Sequence, residues 1–394
     1  MYDFVLKGGR VIDPSQDMDA VADVAFTRGK VAAVGKDLKA PKGQIRDVSG
    51  KIVTPGMIDL HTHVYHLGTS IGLDPELTAR QGGCTTLIDA GTAGPANFMG
   101  FRRHVIEPCP VRVLAYLNIS FPGIYAFGFT TMVGECQDIR LMDPAACREV
   151  AAANRDLVVG IKVRVGRNAS GSNGALPLDM AIEVADDLGM PVMCHLDHPP
   201  PSRRDVLDRL RPGDVLTHCF RPFPNAPIDG GKRVRAEILE ARARGIYFDV
   251  GHGAGSFGFK TGRAMIENGF YPDCISSDVH ILSIDGPAYD NLVTLSKFLC
   301  MGMPLGDVIR AATSNPAKAV RRPELGTLKP GAAGDAVVID LVKGKHHYVD
   351  VVGETLIGNQ RLVSAGMVVA GKWWDDGAES RRQLPKQPSR EAAD

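Results

Sequence analysis

Thr54-Pro55-Gly56-Met57-Ile58-Asp59-Leu60-His61-Thr62-His63 reads as a short apolar strand, residues 57–60, that stops at two histidines. Pro55 and Gly56 punctuate its start. Side chains two apart on a strand face the same side, so His61 and His63 point together, and two imidazoles on one face can grip one metal ion. Taken alone the pair is a weak sign. With 11 histidines in the chain, a His-x-His turns up in roughly one shuffled sequence in three. Two histidines that merely cap a strand are the plain alternative, and the rest of the chain has to decide.

Downstream the pattern alternates. Apolar strand-like runs at 85–90, 111–119, 157–163, 191–195, 214–218, 246–250 and 274–277 are mostly separated by helical patterns, at 144–154, 178–188, 204–210, 234–244, 262–268 and 292–301. Strand alternating with helix implies parallel strands joined by right-handed crossovers. With the strand before His61 there are eight units over residues 54–326, the size of a closed (β/α)8 TIM barrel. A doubly wound open sheet is the structural alternative.

The two ends have a different texture. Residues 1–53 show short β patterns broken at Gly8-Gly9, Asp13-Pro14 and Arg28-Gly29, read as hairpin turns. Residues 327–375 repeat that texture, with strand-like runs at 336–341, 349–352 and 361–369. The expectation is an α/β protein with one discontinuous, sandwich-like β-domain built from both termini, in which residues 7–12 and 370–372 pair late. Residues 376–394 are polar and read as a mobile tail.

In a barrel, functional side chains come from the C-terminal ends of several strands. Here the first strand ends in His61 and His63, the fifth in His195, the sixth in His218 and the eighth in Asp278, while the fourth carries Lys162 inside an apolar run. Structural histidines have no reason to collect at one end of separate strands, so a metal site is expected. Burial disfavours an ammonium, so the pKa of Lys162 should fall. A neutral amine can take up CO2 as a carbamate, whose two oxygens can bridge two cations. A lysine snorkelling to the rim, or pairing with Asp278, remains the alternative.

This set resembles the amidohydrolase superfamily, binuclear subtype with a carboxylated lysine, across nearly the whole chain. Within it the chain is most similar to a group of deacetylases often labelled as dihydroorotases, through Gly160-Ile161-Lys162-Val163-Arg164, Gly171-Ser172-Asn173-Gly174, Asp249-Val250-Gly251-His252-Gly253 and Ser276-Ser277-Asp278-Val279-His280. The resemblance implies two divalent metal ions, Zn²⁺ the favoured identity. His61, His63 and Asp278 would hold the more buried ion and His195 and His218 the other, with a CO2-derived carbamate on Lys162 as the bridge. It implies hydrolysis of an acyl ester or amide by a hydroxide shared between the ions, with Asp278 as proton shuttle. The substrate would be small and carboxylate-bearing, such as an acetylated α-hydroxy or α-amino acid. Arg164, His252 and His280 are candidate substrate contacts. Dihydroorotases usually place an arginine two residues past the second histidine; here Tyr65 stands there. A cyclic amidase of dihydroorotase or hydantoinase type is the rival activity, and a catalytically inactive scaffold on the same fold is the rival of another class.

The bulk numbers exclude little but agree. Net charge is zero, which gives no field to attract nucleic acid or an acidic membrane surface, and no apolar run reaches membrane length. The partner expected is a small-molecule substrate, with a homo-oligomer left open. The eight cysteines include no Cys-x-x-Cys pair, and with no secretory signal visible they read as reduced thiols of a cytoplasmic protein. Gly253-Ala254-Gly255-Ser256-Phe257-Gly258 matches a dinucleotide-binding pattern, but a barrel loop explains it better. Cys84 lies at the wrong end of its strand for a nucleophile, and His346-His347 lies away from the rim. Loops 166–175, 196–204 and 221–232 are expected to cover the barrel mouth.

Overall fold

A computed structural model of the protein describes residues 1–222 and 224–374. The expected tail from residue 376 onward lies outside them.

The two ends of the chain share one sheet. From the N-terminal end come β1 (Phe4–Asp13), β2 (Met18–Thr27), β3 (Lys30–Gly35), β4 (Ile45–Asp47) and β5 (Ile52–Pro55). The barrel strands follow: β6 (Ile58–Thr62), β7 (Thr86–Ala90), β8 (Arg112–Asn118), β9 (Val158–Val165), β10 (Val192–Leu196), β11 (Val215–Thr217) and β12 (Tyr247–Phe248). The C-terminal end adds β13 (Ala336–Val349), β14 (Thr355–Val369) and β15 (Lys372–Trp374). The terminal sheet runs β15-β14-β13-β5-β1-β2-β3, with β4 beside β1. Its stitch is β5, parallel to β1 at Val11–Val53 and antiparallel to β13 at Val338–Val53. Phe26, Val24, Val53, Val338 and Val368 form a buried apolar cluster in this sheet.

Three details differ from expectation. Residues 7–12 do not pair with 370–372. Ala370 and Gly371 both have positive φ, the two-residue turn that folds a hairpin tightly, so β15 returns onto β14 with Val369 opposite Lys372. Gly8-Gly9 is not a hairpin turn. It is a bulge inside one continuous strand, where the register shifts between Leu6 and Gly9. Residues 349–352 are not a separate strand either. They end β13 and enter the turn to β14, where Asp350 accepts the N–H groups of Val352 and Glu354.

The seven barrel strands run in parallel in strict chain order from β6 to β12. Residues 274–277, expected as the eighth strand, form no regular strand, and residues 278–279 continue them without one. Their backbone still closes the ring: Val250 N–H bonds Cys274 O at 3.0 Å on one flank, and Asp278 N–H bonds His61 O at 2.7 Å on the other. Ile58, Ile88, Leu114, Tyr116, Met193 and Val215 pack together inside the barrel, so it is a core rather than a pore. The helices start where the sequence puts caps. Asp74, Asp143 and Asp290 accept backbone N–H groups ahead of helices Pro75–Gly82, Pro144–Ala153 and Asn291–Cys300, and Ser202 with Asp205 forms a capping box on Arg203–Arg209. No helix among the described residues is long and apolar enough to cross a membrane.

Candidate metal centre

At the C-terminal ends of the barrel strands, His61, His63, Lys162, Arg164, His195, His218, Asp278 and His280 line one cavity of about 40 Å³, walled on the apolar side by Ile71, Ile124 and Phe127. His61 Nε2 lies 3.3 Å and His63 Nε2 3.2 Å from the same Asp278 Oδ1. The alternation rule applied to residues 61 and 63 thus holds. Metal–ligand bonds of about 2.0–2.1 Å in a tetrahedron set ligand atoms roughly 3.3 Å apart. His61, His218 and Asp278 form a buried group whose ligand atoms all lie within 4.8 Å of one another.

Hydrogen bonds behind the rings decide which nitrogens face the cavity. Thr217 Oγ1 donates to Asp249 Oδ2 at 2.7 Å, and its single hydrogen is then spent. It must therefore accept from His61 Nδ1–H at 2.9 Å, which leaves the His61 Nε2 lone pair free. His218 Nδ1–H donates to Gly251 O at 2.7 Å, with the same result. His63 Nδ1 meets Thr92 Oγ1 at 2.7 Å, and Asp89 holds that turn through the N–H groups of Thr92 and Val64. Such second partners orient ligating imidazoles in metal sites.

Electrostatics push the same way. Burial holds His61, His195 and His218 well below the usual imidazole range and His63 at about 3, so all four are neutral, the ligand form. Burial raises the Asp278 carboxyl to about 6 and pulls the Lys162 amine down to about 8. His195 Nε2 is buried with no hydrogen-bond partner, although its ring stands 4.4 Å from that of His218. Lys162 Nζ lies 3.5 Å from His61 Nε2. Buried polar atoms left without partners call for a missing group, and neutral imidazoles, a carboxylate and an amine fit divalent cations.

The backbone is strained to make this arrangement. His218 and Asp278 have φ of 65° and 46°, values that non-glycine residues rarely adopt outside functional sites. Gly251, also left-handed, has to be glycine. A Cβ there would stand 2.4 Å from Thr217 Oγ1 and 2.7 Å from His218 Nδ1. At Gly253 a Cβ would meet Asp278 Oδ2 at 2.2 Å. Gly253, the first glycine of the dinucleotide-like run, is thus spent on room for a site side chain, whereas a Cβ at Gly255 would meet nothing within 4 Å.

The three candidate substrate contacts fare differently. Arg164 lines the cavity, but its Nη1 is bonded to buried Glu135 at 2.9 Å and its guanidinium lies over the Phe127 ring. His280 lines the cavity too, with Nδ1 accepting from Leu282 N–H, which leaves Nε2 as the donor. His252 is not brought to the cavity. Its Nδ1–H bonds Gly253 O and its Nε2 receives Lys297 Nζ at 2.7 Å, so both nitrogens are used elsewhere. The left-handed residues on either side of it turn its ring against Phe257. Tyr65 also points away: it stacks on Phe101 and bonds Asn97 O. Cys84 is buried beside Asn291, its thiol raised well above the ordinary range by burial. His347 is exposed on β13. From sequence, Thr92, Thr217, Glu135 and Phe127 carry no role, and Asp249 enters only within a motif of the family resemblance. Asp89 and Asp249, acidic residues ending apolar strands, were the available signal.

Comparison with known proteins agrees with this geometry. The amidohydrolase family pattern matches residues 258–373. A deacetylase of Brucella anthropi is 38% identical over 338 residues, 85% of this chain and 83% of that protein. A dihydroorotase of Geotalea daltonii is 38% identical over only 96 residues, 23% of each chain. A solved structure described as a dihydroorotase superposes with a TM-score of 0.87 at 34% identity, covering 95% of this chain and 99% of that one. On the strength of that full-length likeness, the chain belongs to the amidohydrolase family.

Proposed function

We propose that this enzyme is a metal-dependent deacetylase that cleaves an acyl ester or amide of a small carboxylate-bearing substrate, such as an acetylated α-hydroxy or α-amino acid. The observation that carries the reading is the convergence of His61, His63, Lys162, His195, His218 and Asp278 on one cavity with Arg164 in its wall. His61, His63 and Asp278 would hold one divalent ion, His195 and His218 a second, with Lys162 between them as a carbamate. The Lys162 amine, brought down to about 8 by burial, is partly neutral near that pH. It can add CO2 with loss of one proton. Divalent ions bound there, zinc the first choice, supply Lewis acidity that brings water's pKa from about 15.7 toward about 7 and polarises an acyl oxygen.

The chain's own groups do the rest. Asp278 accepts the proton from water as it adds to the acyl carbon, then returns it to the departing oxygen or nitrogen as the acyl bond breaks. Phe127, Ile71 and Ile124 keep bulk water from the reacting atoms. The cavity of about 40 Å³ has room for more than one water, each of which needs about 10–15 Å³ on that measure. Phe127, at the edge of that cavity, is held by a bridge to Met132 and by Ser70 Oγ donating to its carbonyl.

The rival cyclic-amidase reading has support in the neighbour described as a dihydroorotase. Against it, Tyr65 occupies the carboxylate-holding arginine's place and faces away from the cavity. Zinc-loaded protein assayed on O-acetyl hydroxy acids, N-acetyl amino acids and dihydroorotate separates them. Acetate release with kcat/KM on the order of 10⁴ M⁻¹s⁻¹ or above is expected; turnover of dihydroorotate alone reverses the assignment.

A further inference from the structure

Arg221 is a charged side chain without a counter-ion. Among the partly buried arginines, Arg203 pairs with Glu237, Arg211 with Asp214, Arg112 with Asp335 and Arg164 with Glu135, whereas Arg235 gives its Nε–H to backbone carbonyls and Arg361, away from the site on β14, also keeps a buried Nε without a partner. Arg221 has no carboxylate in ion-pair range among the described residues. Its Nη2 donates to Ser256 Oγ at 2.9 Å, and its Nε is buried with no partner. A guanidinium taken out of water unpaired is costly, and such costs concentrate at binding sites.

Its place is set by the site. The Arg221 N–H donates to His218 O at 3.1 Å, one turn past the last residue of that strand end. Ser256 follows the Gly251–Gly253 bend that makes room for His218 and Asp278, and its N–H bonds His252 O. The guanidinium is near enough to Asp197, Arg164 and Asp278 for their charges to act on it, and burial lowers it to about 10. Arg164 lines the cavity with part of its fork spent on Glu135; Arg221 does not line it but stands within reach of the charges of His195, His218 and Asp278 and keeps its Nε–H.

We propose that Arg221 is the principal anchor of the substrate carboxylate, with Arg164 in a secondary part. This deepens the acyl-hydrolase reading and rests on it. Ser256 steadies one end of the fork while Nε–H and the positive charge meet the anion, a charge-assisted contact of the kind arginine makes with carboxylates. The substrate class is thereby narrowed to acyl compounds whose leaving group bears an anionic carboxylate beside the scissile bond. Neutral esters and amides lie outside it.

The test uses the metal-loaded enzyme and a matched pair, O-acetyl-lactate and its methyl ester. In R221M the ratio of kcat/KM for acid over ester should fall at least thirtyfold, chiefly through KM, with R221K recovering part of it and R164M losing less than R221M. A ratio within threefold of wild type in R221M, at unchanged metal content, overturns the proposal. If R221M does not fold, S256A and R221K are read instead: both should lower the ratio severalfold, and no change in either overturns it. Thermal stabilisation by lactate needs no turnover and keeps the two claims apart. Stabilised wild type and unstabilised R221M would uphold the anchor even if no acetyl compound were cleaved. Equal stabilisation of both, or none in wild type, would remove the anchor and leave the hydrolase reading to its own assay.

Discussion

Each residue in the centre is defined by what stands behind it. Thr217 carries no charge and does not line the cavity, yet its hydroxyl sets the tautomer of His61 by passing its hydrogen to Asp249. Thr217→Val keeps the shape and removes the relay. Metal affinity should fall about 10–100-fold, read by competition with a calibrated chelator, with Thr217→Ser restoring it. Asp278→Asn keeps an oxygen near His61 and His63 but cannot shuttle a proton. Its kcat should drop roughly 10²–10⁴-fold in preparations with matched metal content; a drop under tenfold would assign the proton to another group. The pairing of His61 with His63 was legible because strand parity is a local property. The outward turn of His252 was not, because it depends on Lys297, 45 positions away.

Elements show how much of the site is backbone. Gly91, directly after β7, has φ of 79°, and a Cβ there would stand 2.5 Å from Lys162 Cβ and Cγ. Gly91→Ala should cost about 1–3 kcal/mol in urea unfolding and displace the Lys162 stem, so metal content should fall together with stability. Helix Asn291–Cys300 carries its own test. Lys297 is buried within it and donates to His252, Pro287 O and Val349 O, tying the helix to the end of β13. Burial lowers its amine to about 7 against an ordinary 10.5. Between those values the unfolded chain binds the proton and the folded chain gives it up, releasing one of the three donated bonds because a neutral amine has two hydrogens. Stability should therefore rise with pH above about 7, by up to roughly 1 kcal/mol per unit. Lys297→Met should lose that slope in denaturant titrations from pH 7 to 10. An identical slope in both proteins would assign the proton elsewhere.

At the scale of the whole molecule, the site is also a fastener. Its side chains come from β6, β9, β10, the end of β11 and the irregular segment that closes the ring, so ions bound there tie strands that chain order keeps apart. Ligands that bind only the folded state stabilise it by about 3 kcal/mol at a hundredfold excess over Kd. Chelation should lower the melting temperature by several degrees, and adding back zinc should restore it. A chelated protein that melts where the loaded one does would mean the ions are held weakly or not at all. The terminal sheet contributes at this scale too. β5 is clamped between β1 and β13 and leads through Gly56 and Met57 into β6, so the sheet aims the strand that carries His61 and His63.

By itself the sequence determined the alternation of strand and helix, the β texture of both ends and the collection of His61, His63, Lys162, His195, His218 and Asp278 at one set of strand ends. These follow from periodicity and chain order, which act over a few residues and need no knowledge of partners. Tertiary structure alone decided that residues 274–279 close the ring without forming a strand, that β5 rather than β15 joins β1, that His252 and Tyr65 turn away, and that Glu135 occupies Arg164 while Arg221 is left unpaired. Those outcomes depend on which distant groups compete for a side chain's hydrogen bonds and charge, and that competition exists only once the barrel has closed.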